Sequence, residues 1–151
     1  MKLDAQFAGI PRPVLILGLA GLIPFVAGAV GGWLLIEPLN RAAQDMQVAY
    51  AALILSFLGA VHWGAALARP EGGRQWGWMA WSVTPALIAW IAIMPPAPTA
   101  IIILMAGFLA TLAADIRAVQ RGLLPRWYLA LRRVLTPLVL ICLGATLLRL
   151  A

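Results

Sequence analysis

Charged side chains are scarce in this sequence. Lys2 is the only lysine, and Glu37 and Glu71 are the only glutamates. Of its 151 residues 11% are charged, whereas soluble domains carry roughly 25%. With 64% apolar residues and a mean hydropathy of +0.96, no water-soluble fold of this length hides its apolar surface. Histidine and cysteine each occur once, as His62 and Cys142. A lone cysteine forms no internal disulfide, and Cys142 reads as a small apolar filler. A lone histidine falls short of the three or four convergent ligands of a metal centre, so no metal or cofactor is expected. A haem held through His62 is the one residual cofactor reading. There is no CxxCH, nucleotide-binding loop, nucleophile elbow or zincin motif. No nucleophile–base pair is visible, so the expectation is a protein without enzymatic activity. Repeats and low-complexity tracts are also absent.

What is present is five apolar runs between short charged connectors: Val14–Ile36, Ala49–Ala68, Trp76–Met94, Thr99–Ala114 (closed by Asp115) and Val134–Leu150. A bilayer core of ~30 Å takes ~20 helical residues to cross. Three runs meet that length and two are slightly short. The expected fold is therefore all-α: a single transmembrane domain over residues 1–151, an integral membrane bundle of five transmembrane helices. Ala27-Gly28-Ala29 resembles a signal-peptide cleavage site, but the apolar run continues to Ile36 and reaches 23 residues. That is long for a signal core, so the first run is expected to be a retained helix.

Net charge is +6. In a chain this apolar, basic residues mark the cytoplasmic side rather than a nucleic-acid surface. With five spans, nine of the 11 lysines and arginines fall on the side of the N-terminus and two on the other. The orientation this predicts is N-terminus inside and C-terminus outside. Pro95-Pro96-Ala97-Pro98 reads as the tight turn between the third and fourth runs. Trp76, Trp78, Trp127 and Tyr128 fall near helix ends, where amphipathic rings favour the headgroup layer. Pro24 and Pro85 lie inside runs, where each removes a backbone donor and bends its helix.

Helices associate in lipid by close packing, so small residues mark contact faces. The first run carries Gly21, Gly28 and Gly32 on one face. The second carries Ala52, Ser56, Ala60, Gly64 and Ala68 every four residues, and the fourth carries Ala106, Ala110 and Ala114. Packing within one bundle is the plain reading, and contact with a second copy or another membrane protein is the alternative.

Few polar groups enter the apolar runs. His62 lies six residues before Ala68, and Ser82 six after Trp76. At 1.5 Å per residue both sit about 9 Å from the same face. Asp115 ends the fourth run on that side, with Thr111, Phe108 and Gly107 on its face. His62, Ser82 and Asp115 are thus expected to share one inner-leaflet layer, bordered by the i, i+4 pair Tyr128 and Arg132. Such a layer is either a satisfied clasp that fixes helix register or a proton-active or ligand-binding pocket. The connector from Ile116 to Arg133 places five arginines around Leu123-Leu124-Pro125 and Trp127-Tyr128. Pro125 is expected to open a short interfacial helix there. Arg126, Arg132 and Arg133 are its expected contacts to anionic lipid headgroups.

Tyr50, followed by Ser56-Phe57-Leu58-Gly59-Ala60-Val61-His62-Trp63-Gly64, resembles the signature of a family of small multi-pass membrane proteins of unknown function. That family occurs in proteobacteria and mitochondria and is related to transmembrane protein 69. Gly18–Phe25 and Leu124-Pro125-Arg126-Trp127-Tyr128, with Leu131-Arg132, resemble further blocks of it. The family pattern carries a second glycine where Ala60 stands here. The resemblance implies a bacterial inner-membrane location and supplies no activity.

These readings predict an accessory, assembly or lipid-contacting protein. Its expected partners are membrane lipid and other integral membrane proteins or itself, and not nucleic acid. The alternative is a small transporter or proton-conducting element that uses the His62 and Asp115 layer. The charge asymmetry has its own test. Reporter fusions at the two termini are expected to give opposite-side signals, and same-side signals would rule out five spans.

Overall fold

The computed structural model describes residues 9–150. Among these the chain forms α1 (Arg12–Ala20), α2 (Ile23–Leu34), α3 (Leu39–Leu67), a 3-10 turn (Gly72–Arg74), α4 (Trp76–Ala92), α5 (Ala97–Gln120) and α6 (Arg126–Leu150), with no strand. The fold is an all-α membrane bundle. α1 and α2 are the two halves of one bent rod. Pro24 lacks the N–H that would bond the Ala20 carbonyl, and its ring crowds that carbonyl, so α1 ends at Ala20. Counted that way there are five rods. Four of them, Arg12–Leu34, Leu39–Leu67, Ala97–Gln120 and Arg126–Leu150, are long and apolar enough to cross a membrane. α4 has 17 residues, about 25 Å of helix. It packs along residues 48–63 of α3: Trp63 shares a groove with Trp76 and Met79, Gly59 faces the Ser82 carbonyl and Pro85, and Val48 and Ala52 share a groove with Ala89 and Ile93.

Three helices outrun their expected bounds. α3 begins at Leu39 rather than Ala49, and its extra turns bury Asn40, Gln44 and Gln47. Those polar residues broke the apolar run, yet they lie on one helical face opposite the glycines of α2. The Gln47 amide donates to the Phe25 carbonyl at 2.8 Å. α5 continues past Asp115 to Gln120. α6 begins at Arg126, eight residues before Val134, and runs unbroken through Pro137 to Leu150. The short helix expected to start at Pro125 is therefore continuous with the fifth rod, as the first part of α6. Gly122, at φ 68°, closes α5 in the left-handed conformation, with the Leu123 N–H returning to the Ala118 carbonyl at 2.8 Å.

The core runs through Phe25, Leu55, Ile101, Leu104, Phe108 and Leu143, all but inaccessible. Phe25 stacks edge-on against Tyr50 at 5.2 Å and Phe108 at 6.2 Å. This ties α2, α3 and α5 together. The outside is the inverse of a soluble protein's: Trp76 is 88% exposed, Leu34 77% and Leu148 75%. Apolar surface on this scale is stable only against lipid or another protein.

The small residues divide into two sets. Gly28, Gly31 and Gly32 press on α3. A Cβ at Gly28 would collide with Gln47, and one at Gly31 would stand 2.8 Å from Ala43 Cβ. Gly21 sits at the bend, beside carbonyls of α1. On α3 the contact glycine is Gly59, where a Cβ would stand 2.5 Å from the Ser82 carbonyl oxygen. The expected stripe is rotated off that contact. Ser56 is half-buried and donates to the Ala52 carbonyl at 3.0 Å, Ala60 is exposed, and Gly64 has nothing within 4 Å. The reason is that buried positions Leu55, Leu58, Gly59, His62 and Ala66 form the inward face, so Ala60 and Gly64 point outward. On α5, likewise, Ala106 and Ala110 are exposed and Gly107 makes the contact, 2.6 Å from Leu55 Cδ2 for an added Cβ. Gly59→Leu and Gly28→Leu are expected to lower stability by about 1–3 kcal/mol through overpacking. Gly64→Leu is expected to stay near wild type. Thermal unfolding in detergent measures all three, and equal losses would misplace the contact face.

Candidate functional site

About 8–14 Å from the ends of their helices, three rods present polar groups to one another. α3 brings His62, α5 brings Thr111 and Asp115 one turn apart, and α6 brings Arg132. Asp115 is fully buried, His62 is 2% exposed and Arg132 4%. His62 Nε2 lies 2.9 Å from Asp115 Oδ1, and Arg132 Nε donates to Asp115 Oδ2 at 2.8 Å. Arg132 Nη2 also donates to Thr111 Oγ1 at 3.1 Å, and that hydroxyl donates to the Phe108 carbonyl at 2.9 Å. An ionised carboxylate only accepts, so the network assigns the His62 proton to Nε2. Each Asp115 oxygen thus holds one donor from a different helix. The charge of Asp115 is met by that of Arg132 inside the layer, the arrangement that makes a buried ion tolerable away from water.

The other sequence-predicted residues fall elsewhere. Ser82 is buried, but its hydroxyl donates to the Met79 carbonyl at 2.6 Å on its own helix, so it packs against α3 rather than joining the layer. A serine in a helix has its carbonyl three or four residues back within reach, and no partner from α5 displaces it. Tyr128 is buried one turn before Arg132 on α6, and its hydroxyl has no partner among the described residues. Of the three arginines assigned to headgroups, Arg126 and Arg133 are exposed on α6. Arg132 is withdrawn into the layer, because α6 starts early enough to turn it onto the face that also buries Thr136, Val139, Leu143 and Thr146. That spacing was the signal in the sequence for an inward arginine.

Beside the layer, a cleft of about 610 Å³ opens between α4 and α5. His62 lies at its inner wall, Trp78 and Trp81 on one side, and Arg117 and Arg121 on the other. The Arg69 guanidinium sits 5.5 Å over the Trp78 ring and donates to the Gly122 carbonyl at 2.6 Å. It thereby ties the end of α3 to the α5–α6 turn. The second and fourth connectors therefore share one end of the bundle. Glu37, Arg41, Pro96 and Arg149 gather at the other.

A protein-family model described as "Protein of unknown function (DUF3429)" matches residues 10–148. The chain belongs to this family. It is similar to transmembrane protein 69 of Xenopus tropicalis, 37% identical over 132 residues, which cover 83% of this chain and 50% of that relative. It is also similar to transmembrane protein 69 of Mus musculus, 31% identical over 140 residues, covering 91% of this chain and 56% of the relative. The chain thus spans about half the length of the curated relatives it matches. No solved structure matches it. The matched region contains the whole His62–Thr111–Asp115–Arg132 layer.

Removing one member of the layer is expected to cost more than removing the pair. Arg132→Leu strands a buried carboxylate and is expected to lower stability by about 3–5 kcal/mol, whereas the Asp115→Leu, Arg132→Leu double variant recovers most of that loss. His62→Leu is expected to cost about 1–3 kcal/mol and His62→Gln less, because Gln still offers a donor. Additive losses in a denaturation cycle in mixed micelles would mean that the groups do not interact.

Proposed function

We propose that this protein is a non-enzymatic accessory of the bacterial inner membrane that works by contact, with lipid and with neighbouring integral membrane proteins. The observation that carries this reading is the self-sufficiency of the polar layer. Asp115, the carboxylate best placed for proton chemistry, is held by two donors at 2.8 and 2.9 Å. A group so engaged serves helix register before chemistry. Contact is favoured by the outward small residues Ala60, Gly64, Ala106 and Ala110. A groove of about 620 Å³ between α3 and α4, floored by Ala49, Ala52, Ala86 and Ala89, favours it too. In lipid, such surfaces let another helix or an acyl chain approach closely. The orientation proposed is N-terminus inside, with the end that carries Arg69, Arg117, Arg121 and Arg126 facing the cytoplasm.

One observation favours a second reading, a small transporter or proton-conducting element: His62 lines the cleft between α4 and α5 as well as bonding Asp115. Reconstitution separates the two. Proteoliposomes carrying a pH-sensitive dye are expected to leak protons no faster than empty vesicles, and a stoichiometric membrane partner is expected on purification in mild detergent. A proton flux that His62→Gln abolishes, while the fold survives, would replace the accessory reading with the transport one.

A further inference from the structure

The cleft between α4 and α5 is cationic at its mouth and apolar along its wall. We propose that it seats one anionic phospholipid, with the headgroup phosphate between Arg117 and Arg121 and the adjoining acyl chain against Ala110, Ala113 and Ala114. The proposal rests on the lipid-contacting reading above and assigns it to one place on the molecule.

The lining of the cleft carries it. Arg117, in the last turn of α5, and Arg121, its C-cap, are one helical turn apart, and both line the cleft. Two guanidinium forks at that spacing can grip one phosphate from two sides. Both side chains are exposed and make no ion pair or side-chain hydrogen bond among the described residues, whereas Arg41, Arg74 and Arg132 are each paired to a carboxylate. No acidic residue lines the cleft, and the nearby carboxylate of Asp115 is already bound by Arg132 and His62.

The rings of Trp78 and Trp81 line the same cleft, and their indole N–H groups are buried with no acceptor among the described residues. Trp78 is itself only 9% exposed. Amphipathic indole rings of this kind favour the headgroup level of a bilayer. The wall settles the choice between a free anion and a lipid. Ala110 and Ala113 are exposed and Ala114 half-exposed, so α5 leaves a shallow apolar track leading away from the arginines. Inorganic phosphate has no use for that track, and an acyl chain fills it. Arg117 lies in the last turn of α5 and Arg121 caps it, the level at which a spanning helix meets headgroups and at which interfacial tryptophans sit.

Native mass spectrometry from nanodiscs of equal phosphatidylglycerol and phosphatidylcholine tests the site. Wild type and the Arg126→Gln, Arg133→Gln control are expected to retain phosphatidylglycerol. Arg117→Gln, Arg121→Gln is expected to retain it about tenfold less. Ala113→Leu, which narrows the track and leaves the charge intact, is expected to lose it similarly. Phosphatidylglycerol lost from the control but not from the Arg117, Arg121 variant would overturn the cleft and leave the lipid-contacting reading standing. No preference for phosphatidylglycerol in wild type would overturn both. Full retention in Ala113→Leu would overturn the seat for the chain. Displacement of the lipid by millimolar inorganic phosphate, dependent on the same two arginines, would make this a free-anion site and overturn the lipid as its occupant.

Discussion

The bundle depends on one carboxylate. Asp115 is fully buried, and three helices meet at it: its own α5, α3 through His62 and α6 through Arg132. Lipid offers no competing donors, so an ion at this depth is stable only in the geometry that satisfies it. The geometry is therefore selective. A one-residue slip of α3 or α6 would carry His62 or Arg132 about 100° around its helix and leave Asp115 without a partner. Apolar packing by Phe25, Leu55 and Phe108 holds the rods together without distinguishing such slips. The polar layer adds the distinction.

Glycine contacts do the complementary work on the far side. Gly28, Gly31 and Gly32 let α2 lie close on α3, near enough for the Gln47 amide to reach the Phe25 carbonyl. Gly59 and Gly107 let α4 and α5 close around Leu55 and Pro85. Pro24 sets the angle between the two halves of the first rod. Trp33 then reaches the Ala145 carbonyl on α6 at 2.9 Å, fastening the end of that rod.

The membrane class and the five-rod plan were legible because apolar runs of this length have few other fates. The ends of the rods were less so. Asn40, Gln44 and Gln47 interrupt the run that precedes Ala49, and only their common face shows that they continue α3. His62 and Asp115 were legible as neighbours from depth alone. Ser82 lay at matching depth, but a serine satisfies itself on its own helix, so depth did not imply contact. Arg132 reads two ways in the sequence, as a border of the layer and as a headgroup contact, and the helix boundary decides between them. Placed in a connector it resembles Arg126 and Arg133, and placed on α6 it joins the stripe of Thr136, Val139 and Leu143. The small-residue stripe misled by one position, because Ala60 and Gly64 repeat as regularly as the true contact residues Leu55 and Gly59 do. Regular spacing marks a face and leaves open which way it turns.

A sealed layer beside an open, arginine-lined cleft divides the molecule into a part that fixes architecture and a part that meets its surroundings. The division rests on the Asp115–Arg132 bond existing in a bilayer. Solid-state NMR on the protein in liposomes, labelled with 13C at aspartate carboxyls and 15N at arginine Nε, measures it directly. The Asp115 carboxyl is expected to show the weak but measurable dipolar dephasing of a carbon hydrogen-bonded through one oxygen to an arginine Nε, lost in Arg132→Lys, which has no Nε of that kind. An Asp115 signal that is not dephased would mean that the layer is open in the membrane, and the account of its architecture would fail.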